Sequence, residues 1–274
     1  MSLTDQKSSE WPIVNGKDHT APSVFQPEAL LREARRQKGL LLAAVPEVCI
    51  LDPDGDVVRH LRRTGAGRVH EGWACYHTEL LRFELHGVEA GIIGCAVGAP
   101  FAVLVAEQLF ASGCRLLISV TSAGQIADNG PTPYFVLIDR ALRDEGTSYH
   151  YLPPAKFVDA PDTELLACAE KALSELSEIS VHRGTIWTTD APYRETAAAI
   201  ASARKAGALA VEMETAALYA FATAMARPVI CFAHVTNAMA QTAGDFEKGE
   251  ADGTIATLSV IRAVAEIWPH PHAD

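Results

Sequence analysis

The stretch VEMETAALYAFA, residues 211–222, places two carboxylates in front of a run of alanine and large apolar residues. The apolar run predicts a helix that is buried on every side. Ionised carboxylates are costly to bury without partners, so Glu212 and Glu214 need an explanation. If the helix includes both acids, their side chains point about 200° apart. Glu214 then lies on the core-facing stripe that Leu218 and Phe221 continue.

Two explanations of these acids lead to different expectations. Acids at a helix N-terminus are stabilised by the macrodipole and by free backbone amides, which accounts for Glu212. The same explanation accounts for Glu214 only if the helix begins at that position. The chemical alternative is that a carboxylate accepts hydrogen bonds from two neighbouring hydroxyls while the adjacent Met213 offers an apolar surface. Together these groups fit the cis-diol of a ribose ring.

The composition argues against several classes of protein. The formal net charge of −11 makes the surface repel a nucleic-acid backbone, and no basic patch stands out in the sequence. The six cysteines form no CxxC pair, which argues against a zinc site or a disulfide scaffold and suits a reducing cytoplasm. The N-terminus lacks the apolar region of a signal peptide, and no apolar run reaches the roughly 20 residues of a membrane span. We therefore predict a soluble cytoplasmic protein that binds neither nucleic acid nor membranes.

Short apolar runs rich in β-forming residues alternate with helical patterns after the first 22 residues, which are polar and aperiodic. The predicted strands are LLLAAV and EVCILD (residues 40–52), LLRFELHG, VEAGIIGCAV, RLLISV, YFVLIDRAL, GTIWTT and PVICFAHVTN; the predicted helices are residues 100–112, TELLACAEKAL, the opening stretch and DGTIATLSVIRAVAEIW. This alternation indicates an α/β fold with a central mixed sheet flanked by helices. No linker interrupts it, so we expect a tail at residues 1–22 and one domain at residues 23–274.

Three predicted strands end in polar groups, which is where ligands bind in open α/β sheets. RLLISV runs into TSAGQI, where Thr121 and Ser122 provide hydroxyls and Gly124 lets backbone amides approach a ligand closely. CFAHVTN ends in Asn237. GTIWTT is followed by a loop that contains Asp190, Tyr193 and Arg194. A tight turn with satisfied hydroxyls explains the first of these strand ends equally well.

VEMETAALYAFA closely resembles the VEMExAALY-type signature of the nucleoside phosphorylase family, which includes uridine phosphorylase, hexameric purine nucleoside phosphorylase and the methylthioadenosine nucleosidases. GAPFAVLVAEQLFASGCRLLISVTSAGQI looks like the glycine-rich turn, helix, strand and loop of that family. ALRDEGTSYHYLP is similar to the DGxSxHFAP stretch of uridine phosphorylases, and GTIWTTDAPY to the strand and loop beside the base. The likeness covers residues 48–268 in the family's order.

The resemblance implies cleavage of the N-glycosidic bond of a ribonucleoside. It places Glu214 on the ribose 2′- and 3′-hydroxyls, Met213 against the sugar, and Ser122 beside phosphate or another attacking group. Asn237 falls where purine enzymes keep an Asp that protonates the base, and it can only donate a hydrogen bond there. The remaining residues expected to line the substrate are Glu212, Thr121, Gly124, Asp190, Tyr193, Arg194 and Gln241.

The positions at which the family's phosphorylases carry phosphate-binding arginines differ in this chain. The GDPxR turn is replaced by LDPDGD at residues 51–56, which brings two extra acids. The arginine expected before the glycine loop is Ser119, and the one lent by a neighbouring subunit falls near Tyr76 and His77. Binding a dianion needs cations or clustered amides, so these differences weaken the case for phosphorolysis unless Arg59, Arg68 or His77 substitutes.

Three functions therefore stay open: phosphorolysis with phosphate as co-substrate, hydrolysis by water, and nucleoside binding without catalysis. We expect no cofactor, because His70 interrupts the dinucleotide-like TGAGRVHEG, and no metal site, because His270 and His272 lie on a terminal segment. The resemblance implies a homodimer or homohexamer. His19, in the N-terminal tail, is a candidate for completing a neighbour's site.

Overall fold

The computed structural model describes residues 11–239 and 245–268 as one large sheet covered by helices. The helices are α1 Pro27–Lys38, α2 Asp56–Thr64, α3 Ala99–Ala111, α4 Thr163–Leu173, α5 Ala197–Lys205, α6 Thr215–Met225 and α7 Thr254–Ile267, with short 3-10 helices at Thr147–His150 and Pro192–Arg194. The strands are β1 Val48–Asp52, β2 Arg68–Val69, β3 Leu81–Leu85, β4 Val88–Gly94, β5 Leu116–Gln125, β6 Tyr134–Asp144, β7 Phe157–Asp159, β8 Val181–Thr189, β9 Ala208–Glu212 and β10 Val229–Asn237.

The sheet combines a closed ring of five strands with an open wing. Its order is β10-β6-β8-β9-β5-β1-β4-β3-β2, and a further pairing of β10 with β5 closes the first five strands on themselves. Strands β4, β1, β5 and β10 are parallel neighbours, whereas β5 with β9 and β10 with β6 are antiparallel. The predicted α/β fold with a central mixed sheet flanked by helices is confirmed. No helix in the described ranges combines the length and the apolar character that crossing a bilayer requires.

Two predicted boundaries are wrong for identifiable reasons. Residues 40–45 form no strand, and β1 begins only at Val48, where pairing with β4 and β5 starts. TSAGQI is not a loop, because β5 continues to Gln125 and pairs its last two residues with β9. The helices α1, α2 and α5 were not among the predicted elements.

The opening stretch also folds differently from the prediction that both acids lie on a helix. Glu212 is the last residue of β9 and pairs with Thr188 of β8. Glu214 is the N-cap of α6, which starts at Thr215. The angular argument for the two carboxylates is therefore wrong, because the chain changes from strand to helix between them.

Helix α6 is the centre of the core, as its alanine-rich sequence predicts. All eight residues from Thr215 to Ala222 are buried, and the Phe221 ring packs against the rings of Phe110 and Tyr151 at centroid distances of 5.9 and 5.8 Å. The small alanine side chains let the helix approach the sheet closely. This fixes the position of Glu214 at its N-terminus.

Tyr219 supplies the hydrogen bond that ties α6 to the sheet. Its hydroxyl donates to the Ile138 carbonyl at 2.6 Å and accepts from the Cys231 amide at 3.2 Å, and its side chain is fully buried. The β6–β8 register shifts at Ile138. The hydroxyl therefore bonds the backbone at an irregular point of the β6–β8 ladder.

Replacing this hydroxyl should destabilise the protein. Tyr219→Phe leaves a buried carbonyl and a buried amide without their partner, so we expect a loss of about 1–3 kcal/mol in the free energy of unfolding. Urea denaturation followed by circular dichroism measures it. Tyr193→Phe, at a side chain that is 99% exposed, is the matched control and should leave the midpoint unchanged. Equal midpoints for both variants would contradict this role of the bond.

Candidate active site

The carboxyl ends of the parallel strands β1, β4, β5 and β10 meet at one edge of the sheet, where ligands bind in this class of fold. The turn after β1 carries Asp54, and the turn after β4 carries Gly98, the N-cap of α3. Thr121 and Ser122 lie near the end of β5, and Asn237 ends β10. The predicted catalytic residues are thus brought to the same edge.

Glu214 reaches this edge with its carboxylate held by two donors. Oε1 accepts the backbone amide of Gly98 at 2.6 Å, and Oε2 accepts the Thr121 hydroxyl at 2.9 Å. The residue is 1% exposed, and no cation contacts it among the described residues. An internal basic partner would have given this buried acid a structural explanation. No such partner is present among the described residues.

Glu212 performs the capping role that the sequence suggested for it. Its Oε2 accepts the amides of Glu214 and Thr215 at 2.8 and 2.9 Å and the Thr215 hydroxyl at 3.0 Å. Its Oε1 accepts the Thr188 hydroxyl at 2.5 Å. Glu212 is 3% exposed, and its oxygens are engaged by the first turn of α6 and by β8. These contacts make it a support for Glu214 rather than a group facing a ligand.

The two buried acids disfavour each other's ionisation. Burial, followed by the nearby charge of Glu212, raises the pKa of Glu214 from its ordinary 4.5 to about 8. Burial also raises the pKa of Glu212, although bonds from Thr188 and the α6 amides oppose the shift. A further contribution to the raised pKa of Glu214 comes from the charge of Asp54, which places that acid in the same site.

Asp54 contacts the site through Ser122. Its Oδ2 accepts the Ser122 backbone amide at 2.7 Å, so the amide rather than the hydroxyl of Ser122 is the group in use. Sequence reasoning noted the extra acids of LDPDGD but gave Asp54 no role. The signal was available, because the residue follows a buried strand whose carboxyl end lies at the ligand-binding edge.

Asn237 and Gly124 face each other across β5 and β10. The Asn237 Oδ1 accepts the Met239 amide at 2.9 Å, and its Nδ2 donates to the Thr236 hydroxyl at 3.2 Å. A Cβ added at Gly124 would lie 2.6 Å from the Met239 sulfur. A side chain at position 124 would therefore displace the Met239 side chain, a contact that the sequence did not indicate. Met213 is half-buried between the two acids.

The loop predicted to lie beside the base is more exposed than expected. Asp190 accepts the Gly146 amide at 2.8 Å and so joins the end of β8 to the 3-10 helix Thr147–His150. Tyr193 is 99% exposed, and Arg194 is exposed as well. A cavity of about 540 Å³ adjoins this loop, and its lining includes Asp190 and Pro100. Pro100 lies two residues after Gly98, whose amide donates to Glu214. The cavity therefore extends to within one helical turn of that donor.

Two cations beside the turn after β1 are paired with Asp56, the first residue of α2. Arg59 and Lys248 both form ion pairs with Asp56, and neither contacts Asp54 among the described residues. His77 is exposed and lies edge-on to Phe101.

The remaining candidate residues lie further out or outside the described chain. His19 contacts the Tyr149 carbonyl of its own chain at 3.1 Å. Gln241, His270 and His272 lie outside the described residues. Within residues 11–239 and 245–268, no group of three His, Cys, Asp or Glu side chains is placed to hold a metal ion.

Comparison with known proteins agrees with this geometry. The family model of the Phosphorylase superfamily matches residues 47–266. Purine nucleoside phosphorylase DeoD-type from Bacillus cereus (strain ZK / E33L) is 30% identical over 137 residues, which are 50% of this chain and 58% of that enzyme. The chain spans a little more than half the length of the curated relatives it matches.

Two solved structures share the fold at low sequence identity. Uridine phosphorylase from Vibrio fischeri ES114 has a TM-score of 0.67 and 22% identity, and the match covers 81% of this chain and 93% of that one. The 5′-methylthioadenosine/S-adenosylhomocysteine nucleosidase from Neisseria meningitidis has a TM-score of 0.64 and 17% identity, with 80% and 98% covered. The protein belongs to the Phosphorylase superfamily, whose members transfer or hydrolyse the glycosyl group of nucleosides.

The raised pKa of Glu214 predicts a pH-dependent difference between the wild type and Glu214→Gln. An acid whose pKa is higher in the folded state destabilises the fold as pH rises from its unfolded pKa, near 4.5, to its folded pKa, about 8. Glu214→Gln removes this contribution and keeps an oxygen for the Gly98 amide. We expect equal melting temperatures near pH 4.5 and a growing advantage of the variant up to about pH 8.

Differential scanning fluorimetry across this pH range measures the effect. Glu84→Gln, at an exposed position of β3, is the control for loss of one negative charge and should show no growing advantage. A constant difference between wild type and Glu214→Gln at all pH values would show that Glu214 keeps an ordinary pKa.

Proposed function

We propose that this protein is an enzyme that cleaves the N-glycosidic bond of a ribonucleoside, with Glu214 binding the 2′- and 3′-hydroxyls of the ribose. The observation that carries the proposal is the bonding of this carboxylate. An ionised carboxylate offers about four lone-pair sites, and Gly98 and Thr121 use one on each oxygen. One acceptor site per oxygen is left, which matches the two hydroxyls of a cis-diol.

The charge state of Glu214 fits this role. Diol hydroxyls donate to the ionised form, so a bound ribose compensates part of the burial that raises the pKa of Glu214. The carboxylate is only 1% exposed, so substrate entry requires the residues that cover it to move. Met213, half-buried next to Glu214, supplies the apolar surface proposed for the sugar.

Asn237 is the proposed partner of the leaving base. Asn237 ends β10 and pairs with Gly124 of β5. Gly124 lies two residues beyond Ser122, the residue that contacts Asp54, so the Asn237 amide is further along β5 than that contact. An amide donates a hydrogen bond to a base on which negative charge develops, which stabilises the departing group without transferring a proton. Asp190, Tyr193 and Arg194 are proposed to select the base from the loop after β8.

We propose water as the acceptor in place of the family's usual phosphate. The turn after β1 forms the side of the site from which we expect the attacking group, and we call it the acceptor side. It carries Asp52 and Asp54, and the cations Arg59 and Lys248 are paired with Asp56. In this reaction the water oxygen forms a bond to C1′ as the C1′–N bond breaks. The electron pair of the C1′–N bond leaves with the base. The proton that water loses goes to a site carboxylate, and the base takes a proton from solvent. The fold is shared by a phosphorylase and a nucleosidase, so it is compatible with either acceptor.

A homodimer or homohexamer is proposed from the family resemblance. Size-exclusion chromatography with light scattering measures the oligomeric state directly, and a monomer at working concentration would contradict this part of the proposal.

The proposal predicts which products appear and what removes activity. A panel of purine and pyrimidine ribonucleosides, assayed with and without phosphate, should yield free base and free ribose independently of phosphate. Glu214→Gln should lower kcat/KM by at least about a hundredfold, because the neutral amide lacks one of the two acceptors and carries no charge. Glu84→Gln is the control with unchanged turnover.

Each alternative gives a different result in the same assay. Ribose 1-phosphate formed only with phosphate would establish phosphorolysis instead. Ligand-induced thermal stabilisation without turnover would establish a nucleoside-binding protein. Undiminished cleavage by Glu214→Gln would refute the role assigned to this residue.

A further inference from the structure

We propose that the carboxylate of Asp54 occupies the anion-binding position of the acceptor side and so excludes phosphate. This inference rests on the proposed function, because it names the residue that selects water in that reaction. The position is defined by one donor, the backbone amide of Ser122, which the Asp54 Oδ2 accepts at 2.7 Å.

The donor to Asp54 lies next to the residue that holds Glu214. Thr121 and Ser122 are consecutive residues of β5, so their Cα atoms are about 3.8 Å apart. The hydroxyl of Thr121 holds Glu214, and the amide of Ser122 holds Asp54. The donors to Glu214 and to Asp54 are therefore adjacent residues of the same strand. In the proposed reaction, the attacking group approaches the sugar from the side on which Asp54 lies.

Asp54 does not hold its own turn together. That work is done by Asp52, whose Oδ1 accepts the Gly55 amide at 3.1 Å and whose Oδ2 accepts the Val58 amide at 2.9 Å. The Asp52 carbonyl also accepts the amides of Gly55 and Cys95. Within the described chain, the side chain of Asp54 makes a single hydrogen bond, to Ser122. A structural explanation of Asp54 is therefore weak.

A phosphate ion would meet an occupied donor and a negative charge at this position. A bound anion needs donors such as free amides, and the Ser122 amide is already used by a carboxylate. The incoming dianion would also face the charge of Asp54. Arg59 and Lys248 are held by Asp56. The side chain of Asp54 thus acts as an internal substitute for the anion.

Removing the carboxylate should create phosphate binding. We compare wild type with Asp54→Asn, which removes the charge, and Asp54→Ala, which also frees the Ser122 amide. Asp54→Glu keeps the charge and is the matched control. Inorganic phosphate is the probe, with sodium chloride at equal ionic strength as reference. Isothermal titration calorimetry and the phosphate-dependent melting temperature report binding without requiring turnover.

We expect Asp54→Ala and Asp54→Asn to bind phosphate at least about tenfold more tightly than the wild type, and Asp54→Glu to behave like the wild type. With a cleavable ribonucleoside, ribose 1-phosphate should appear in the two neutral variants only. Phosphate affinity equal to that of the wild type in both folded neutral variants would overturn the inference. Tight phosphate binding by the wild type would overturn it too.

Failure of the proposed function gives a different result. In that case the wild type releases no ribose from any ribonucleoside, whereas the phosphate affinities of the four proteins still decide the role of Asp54.

Discussion

The structure depends on holding the Glu214 carboxylate in the core, where no cation of residues 11–239 or 245–268 contacts it. Glu214 stays there because two donors from different elements converge on it, the first free amide of α3 at Gly98 and the Thr121 hydroxyl of β5. Placing Glu214 requires α6 to begin at Thr215, and Glu212 fixes that start by accepting the first amides of the helix. One acid therefore supports the helix so that the other can face the site.

The sequence was sufficient to predict the fold class, most of the strands and the polar residues Thr121, Ser122 and Asn237 near the carboxyl ends of two of them. Strongly apolar runs and their alternation with helices carry that information in the local pattern. The start of α6 and the extension of β5 to Gln125 were not predictable in this way. Both depend on pairing between β5, β8 and β9, strands far apart in the sequence, which no local pattern records.

The positions and contacts of individual side chains were also only partly predictable from the local sequence. Gly124 was predicted to admit a ligand, yet the sulfur of Met239 occupies the space beside it. Tyr193 was predicted to lie near a base and is almost fully exposed. Asp54 carried no prediction, although it follows a buried strand; its contact with the Ser122 amide, 68 positions away, is not recorded in the local sequence. In the proposed function, the position of Asp54 adds a physical reason for water as the acceptor to the differences at the family's arginine positions.

The central claim is that the Glu214 carboxylate keeps one acceptor site on each oxygen for a ribose diol. Carbon-13 NMR titration of the Glu214 side chain measures this most directly, with a ribonucleoside and with its 2′,3′-dideoxy analogue. The pKa of Glu214 should lie near 8 in the free protein and fall when the ribonucleoside binds, because hydroxyl donors stabilise the ionised form. The analogue should leave it unchanged or higher. An unchanged pKa at saturating ribonucleoside would contradict the account.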